Sequence, residues 1–450
     1  MKLIYKIIAG CFFWLCFVLA GTMPVYGAEP VVVVLDPGHG GKNLGAEYNG
    51  YTEKDMTMIV ATAMKEELEK YEGVEVYLTR DVDKDMSLEE RAEFAASKNA
   101  DFLFCLHFNM SLGHELFGSE VWISAFGEEH QKGYSFASAE MELLEDEGLY
   151  PRGIKTRLND DGEDYYGIIR HSTARGLPSA IIEHCHLDEE TDVAFYDSEE
   201  KLKQFGVLDA TAVAKFYGLK SEILGVDYGS YQKVEIPIPS AAVKPDTSEP
   251  DVCMIDAGDV DKETGEAEVS IYAVDYDSYL VYYSYSLDGG ESFSKLQKWE
   301  PRSADTLKFT LKVPSGIAPD LVVKVYNKYD YTTMSNHVYF PSVSYEEEEK
   351  GEGISKMEEM PEGSTDGEAV EAGVMTAKNP SPGETGTEGE KGKKEKTGKT
   401  GNNGQPAKEA TVLYFLQVAF LCAAILFVLF LLAGIFMGGR RSKKKRRRKK

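Results

Sequence analysis

Between residues 29 and 220 the chain alternates short apolar runs with longer stretches whose apolar positions recur every three or four residues. Val31–Asp36, Val74–Thr79, Phe102–His107, Glu120–Ser124 and Ser179–His184 read as strands. Met56, Ile59, Val60, Ala63, Met64 and Leu68 fall on one helical face. Leu202, Phe205, Leu208, Val213 and Phe216 mark a closing helix, and Phe136–Leu144 also reads as helical. Thr52 with Asp55, and Ser87 with Glu90, have capping-box spacing, in which a hydroxyl and a later acid satisfy each other's backbone amides. The second pair opens a helix through Ala96. Strand–helix alternation of this kind predicts an α/β domain over residues 29–220, a mainly parallel sheet with helices on both faces.

The texture then changes. Residues 221–249 carry prolines and serines and read as a linker. From 250 to 342, AEVSIYAVD, YLVYYSYSLDGGESF, LKFTLKV and LVVKVYNKYD alternate apolar and polar positions without helical spacing. Short alternating strands predict a small β-sandwich of immunoglobulin-like type. It shows no catalytic constellation, so a spacer or binding module is the expectation. Residues 343–410 are rich in Glu, Lys, Gly, Thr and Pro; too apolar-poor to bury a core, they read as a disordered low-complexity linker.

The two ends concern placement. Lys2 and Lys6, an apolar run from Ile7 to Ala20, and the small residues Gly27 and Ala28 predict a secretory signal peptide over residues 1–28. A retained anchor helix fits less well, because the run is short for a membrane span. Residues 411–437, apolar from Val412 to Met437 except for Gln417, are long enough to cross a bilayer. The basic tail 438–450 would stay on the cytoplasmic side. No LPxTG-like sorting motif precedes Val412. The expectation is a single-pass cell-membrane protein with its catalytic domain outside the cytoplasm. Net charge is −26; without the basic tail and the signal lysines the exported part is more acidic still, which disfavours nucleic acid as a partner. Cys105, Cys185 and Cys253 remain in that part, too few for a disulfide scaffold. Buried free thiols are the expectation, with a Cys105–Cys185 bridge as the alternative.

Chemistry gathers where strands of an open α/β sheet end, since ligands collect outside their carboxyl edges. His39 follows the first strand in PGHGG, His107 ends FLFCLH, and Glu183 ends SAIIE. Glu53 begins the helix after the first loop and returns to the same rim. Two imidazoles and a carboxylate suit a three-ligand catalytic zinc site with a fourth position open, and a further carboxylate suits a general base. Each residue also has a plain structural reading: a strand-end histidine satisfied by its neighbours, a turn at PGHGG, a first-turn acid on a helix dipole. His171, His184 and His186 are spare imidazoles able to replace a ligand. His114, His130 and His337 read as surface or loop residues.

Residues 31–217 resemble the zinc-dependent N-acetylmuramoyl-L-alanine amidases of the Amidase_3 type. VLDPGHGG, YTEKDMT, YLTRD with SLEERAEFA, CLHFN and SAIIEH match five motifs of that family in order. The resemblance implies zinc on His39, Glu53 and His107, Glu183 as catalytic acid and base, and peptidoglycan as substrate. Two departures concern the local loop and its substrate contacts: Cys105 stands where serine is common, and Cys185 and His186 replace the usual residues after Glu183. Nothing before the Glu183 strand looks like the inhibitory helix of some relatives. Three other readings stay open: a non-catalytic peptidoglycan-binding membrane-anchored module, a thiol hydrolase built on Cys105 or Cys185, and a structural tether.

Overall fold

The structure, a computed structural model, describes residues 29–345. The expected signal peptide, the low-complexity segment beyond residue 345, the membrane span and the basic tail lie outside the described residues. Among the described residues no helix is long and apolar enough to cross a membrane.

The first part of the chain carries strands β1 (Val31–Pro37), β2 (Glu47–Tyr48), β3 (Tyr51–Thr52), β4 (Val74–Leu78), β5 (Phe102–Asn109), β6 (Ser119–Ile123), β7 (Pro151–Lys155) and β8 (Ser179–His186). Its helices are α1 (Glu53–Leu68), α2 (Leu88–Ser97), α3 (Gly127–Glu147), α4 (Gly167–Thr173), α5 (Glu190–Val193) and α6 (Glu199–Tyr217). Six strands form one sheet in the order β4-β1-β5-β8-β6-β7. β4, β1, β5 and β8 are mutually parallel. β6 runs antiparallel to β8, and β7 follows β6, so the sheet is mainly parallel.

The period-two alternation of each strand feeds two cores. Val33 and Leu35 of β1, the phenylalanines 102, 104 and 108 of β5, and Ala180 and Ile182 of β8 face α1, α3 and α6. Val34, Leu103, Cys105 and Ile181 face the opposite layer, where Ala92 and Ala95 of α2 meet Ile168 and Ile169 of α4. By the same parity Asp36, His107 and Glu183 belong to the second face, at the strand ends.

Ser87 and Glu90 form the expected capping box of α2. The Thr52–Asp55 pair does not: the Thr52 side chain makes no cap bond. The loop before it serves instead, because the Glu53 amide donates to Ala46 O at 2.9 Å and the Lys54 amide to Leu44 O at 3.1 Å. β7 and α4 were not expected from the sequence. The polar positions of PRGIK hide a strand whose Arg152 and Lys155 are both 1% exposed. His130, expected at the surface, is buried in α3 and bonds Ser124 O through Nδ1 at 2.7 Å.

After α6, β9 (Lys220–Ser221) and β10 (Val226–Asp227) form a small antiparallel pair. The chain then runs along α3, where the Ser135 hydroxyl and the Gln131 amide donate to Val234 O and Ile236 O. Strands β11 (Val252–Ala257), β12 (Glu266–Val274), β13 (Leu280–Ser286), β14 (Gln297–Lys298), β15 (Thr306–Lys312), β16 (Asp320–Asn327), β17 (Thr332–Met334) and β18 (Val338–Tyr339) complete the described chain. They make a three-stranded and a five-stranded antiparallel sheet, which share a core around Trp299, Val269, Ile271, Val323 and Val325.

This second β unit is seated on the first. Leu116, Phe117 and Tyr150 pack with Val281, Tyr282, Leu296 and Tyr326 in a common apolar cluster. The buried hydroxyls at its centre are satisfied across the boundary: Tyr150 donates to Val281 O, and Tyr282 donates to Phe117 O.

Candidate metal and catalytic site

The loop after β1 delivers His39 in a conformation that the sequence alone would disfavour. His39 has φ 60, the left-handed region that side chains usually avoid. Strain of this kind persists where the surroundings fix it, and here two buried arginines do so. Arg80 donates to Pro37 O at 3.0 Å, Gly38 O at 2.9 Å and Lys54 O at 2.8 Å. Arg91 donates to Asp36 Oδ1 at 2.7 Å, to Pro37 O at 2.9 Å and to His39 O. The guanidinium forks therefore hold the loop carbonyls that no ladder can satisfy. These are the arginines of YLTRD and SLEERAEFA.

The glycines around the histidine leave space as well as freedom. A Cβ on Gly38 would lie 2.4 Å from the His107 ring, and one on Gly45 (φ 72) would lie 2.4 Å from Glu53 Oε2 and 2.7 Å from the His39 ring. Neither position accommodates a side chain while the three functional groups stay in place.

His39, Glu53 and His107 come together with their candidate ligand atoms within 4.8 Å of one another. Glu53 Oε2 is 3.0 Å from His39 Nε2, and Glu53 Oε1 is 3.0 Å from His107 Nδ1. The carboxylate also accepts the Ala46 amide at 2.8 Å and the Phe108 amide at 3.0 Å. Asn43 Oδ1 lies 2.9 Å from His39 Nδ1. An acceptor there places the proton on Nδ1 and turns the Nε2 lone pair toward Glu53.

Electrostatics follow from burial and proximity. For Glu53 burial works against charge, yet the two imidazoles hold its carboxyl well below the usual range. For His39 burial also opposes charge, but Glu53 and Asn43 raise its pKa. At His107 burial wins and the pKa falls. Such a buried donor set, two nitrogens and a carboxylate at bonding separations from one another, suits a divalent cation.

Glu183 stands beside this group. On adjacent parallel strands it pairs with His107, and on its other side with Glu120 of β6. Its Oε2 is buried and has no hydrogen-bond partner among the described residues. Burial, then the carboxylates of Glu53 and Glu120, push its pKa well above the usual carboxylate range. A buried, unpartnered carboxyl oxygen with a raised pKa next to a ligand cluster is the pattern of a group kept for proton transfer.

The spare histidines take structural places. His184 bridges His107 O at 2.9 Å and both Asp209 oxygens at 3.1 Å. His186 lies between Gly118 O at 3.1 Å and Arg152 at 3.0 Å. His171 sits in α4, outside the ligand cluster. Cys105, Cys185 and Cys253 are buried free thiols, so no Cys105–Cys185 bridge forms. Burial pushes Cys105 and Cys185 well above the ordinary thiol range, which removes the basis of a thiol hydrolase.

The family model for N-acetylmuramoyl-L-alanine amidase matches residues 33–215. Over those residues the chain is similar to that family. The chain is 28% identical over 193 residues to an endolysin of Bacillus phage SPP1, covering 42% of this chain and 68% of that protein. It is 40% identical over 84 residues to a sporulation-specific N-acetylmuramoyl-L-alanine amidase of Bacillus subtilis (strain 168), covering 18% of this chain and 33% of that one. Among solved structures, the catalytic domain of CwlV, an N-acetylmuramoyl-L-alanine amidase from Bacillus (Paenibacillus) polymyxa var. colistinus, is 23% identical with a TM-score of 0.37. The match covers 42% of this chain and 99% of that domain. The chain thus spans about two thirds of the phage endolysin and a third of the Bacillus amidase.

Around the candidate site, sequence reasoning missed Asn43, Glu120, Arg152 and Lys155. Asn43 is visible only as a residue four positions after a histidine in a glycine-rich loop. The other three are buried charges on β6 and β7 whose partners come from distant segments.

Proposed function

We propose that this protein is a cell-wall hydrolase that cleaves the amide joining N-acetylmuramic acid to L-alanine in peptidoglycan. The observation that carries the reading is the buried His39–Glu53–His107 cluster with the unpartnered Glu183 beside it, inside the segment that matches the amidase family. His39, Glu53 and His107 would hold zinc, which when bound supplies Lewis-acid activation of water and of the amide carbonyl.

The chain's own residues do the rest. Asn43 fixes the His39 tautomer, and the Ala46 and Phe108 amides keep the Glu53 carboxylate in one orientation. Glu183 takes a proton from the attacking water as the new C–O bond forms. It returns that proton to the L-alanine nitrogen as the C–N bond breaks. The products are a glycan strand and a free stem peptide. A raised carboxyl pKa suits this double role, and a cation held by the neighbouring cluster would draw it down toward the working range.

The remaining parts of the reading rest on sequence. A signal peptide over 1–28 and a span at 411–437 followed by a basic tail would fix the enzyme to the cell membrane with its site outside the cytoplasm. The two packed sheets over 250–342 are read as an immunoglobulin-like sandwich. The test is dye release from labelled wall material by the purified chain. Release that stops with a chelator and returns with zinc supports the proposal; release indifferent to chelator, or none, opposes it.

A further inference from the structure

We infer that Asp330, a residue of the β-sandwich, is a positioning residue of the amidase site and acts through Arg152 and Glu120. The inference rests on the amidase reading above.

A chain of buried charges leads from one unit to the other. Glu120 is fully buried beside Glu183, and two cations serve it. Lys155 Nζ is 2.6 Å and Arg152 Nε 2.9 Å from its Oε2, the second without hydrogen-bond alignment. Its Oε1 accepts from Trp122 Nε1 at 2.9 Å and from Asn109 Nδ2 at 3.1 Å. Asn109 ends the strand that carries His107. Glu120 therefore braces both neighbours of the proposed reaction: the strand of Glu183 by register, the end of the His107 strand by a hydrogen bond.

Within its own domain Arg152 shares Glu120 with Lys155. Its Nη1 meets His186 Nε2 at 3.0 Å, a neutral partner. Its Nη2 donates to both oxygens of Asp330, at 2.9 and 2.7 Å, from across the domain boundary. With Asp330 in place the cluster holds two anions and two cations, which balance in the low dielectric of the interior; without it one buried positive charge is left over. The two other ion pairs that cross the boundary among the described residues, Lys295–Glu190 and Arg302–Glu145, lie at the surface.

The segment that carries Asp330 is fitted to β7 residue by residue. Lys328 Nζ donates to Ile154 O at 3.0 Å, the Tyr329 hydroxyl accepts the Thr156 amide at 3.3 Å, and Lys155 lies 5.8 Å over the Tyr329 ring. Asp330 itself has φ 67, which an aspartate tolerates better than most residues. The second domain thus supplies the anion that lets two buried cations sit behind Glu120, and it covers the exposed side of an edge strand at the same time.

The experiment uses the full chain and three variants: Asp330→Asn, Asp330→Glu and Tyr282→Phe. The last loosens the same domain boundary, by removing the hydroxyl that donates to Phe117 O, while keeping every charged side chain and the ring that lies 5.8 Å from the Arg152 guanidinium. With zinc saturating, Asp330→Asn is expected to lower kcat about 10-fold with KM little changed. Asp330→Glu recovers part of the loss, and Tyr282→Phe keeps wild-type kcat even if its melting temperature falls. Wild-type kcat in folded Asp330→Asn, or parallel losses in Asp330→Asn and Tyr282→Phe, overturns the inference. If the wild type itself releases no stem peptide, the amidase reading fails separately. Hydrogen exchange then judges Asp330: faster exchange in β6 and β8 in Asp330→Asn but not in Tyr282→Phe sustains the positioning role, and equal rates overturn it.

Discussion

His107 and Glu183 stand opposite each other on adjacent parallel strands, a ligand-type imidazole and an unpartnered carboxyl in one register. The rigid sheet fixes their separation, while the loop carrying His39 and the helix start carrying Glu53 close the group from above. Glu183→Gln keeps the shape and removes the proton acceptor. The variant is expected to bind zinc and fold like the wild type and to lose roughly two to four decades of kcat. Kinetics on labelled peptidoglycan, with metal content measured on the same sample, check this.

Zinc content tests the ligand set directly. The purified chain is expected to hold about one zinc per molecule, as a three-ligand site does. His39→Ala and His107→Ala should each lower occupancy sharply, while His184→Ala, which removes a bridge to Asp209 and His107 O and a packed ring but no member of the cluster, should not. Elemental analysis after dialysis distinguishes them.

Gly45→Ala adds a single methyl group, yet it is expected to weaken metal binding. Its Cβ would fall 2.4 Å from Glu53 Oε2, and its φ of 72 disfavours any side chain. Glu53 must then move away from His39. A zinc titration should show at least about a 10-fold rise in Kd, the scale of outer-shell damage to metal sites. Gly50→Ala meets nothing within 4 Å and serves as the comparison for backbone strain alone.

Glu120 gives a pH dependence with a defined sign. Burial opposes its charge, but Arg152 and Lys155 hold its pKa down at about 2, against 4.5 for an ordinary glutamate. A carboxyl depressed on folding contributes stability that is complete above the unfolded pKa and is lost as pH falls through the folded one. The contribution is therefore full above about 4.5 and declines toward about 2. The difference in urea midpoint between wild type and Glu120→Gln should be large at neutral pH and shrink across that window.

The sheet and the grouping of His39, Glu53 and His107 were legible because both follow from local rules. Strand parity put Val33 and Leu35 in one core and Val34 in the other, and strand ends collected His39, His107 and Glu183 at one rim. Glu53 was legible as the first residue of a helix that must start at that rim. The capping box of Ser87 and Glu90 formed as its spacing implies, whereas at Thr52 the loop before the helix binds the Glu53 and Lys54 amides and the Thr52 side chain makes no cap bond. β7 was hidden because its buried face is charged: Arg152 and Lys155 look exposed until Glu120 and Asp330 are known to meet them. Partners from β6 and from the second domain leave no periodic trace in the sequence around PRGIK, and His130 was misplaced for the same reason, its acceptor being a carbonyl at the end of β6.

Product analysis of digested peptidoglycan tests the central claim most directly. Wild type and Glu183→Gln are incubated with purified wall sacculi, and the soluble products are identified by mass. The account predicts free stem peptides with a new L-alanine amino terminus and undamaged glycan from the wild type. It predicts almost none from Glu183→Gln. Glycan fragments still carrying their peptides, peptides cut between amino acids, or equal release by both proteins would contradict it.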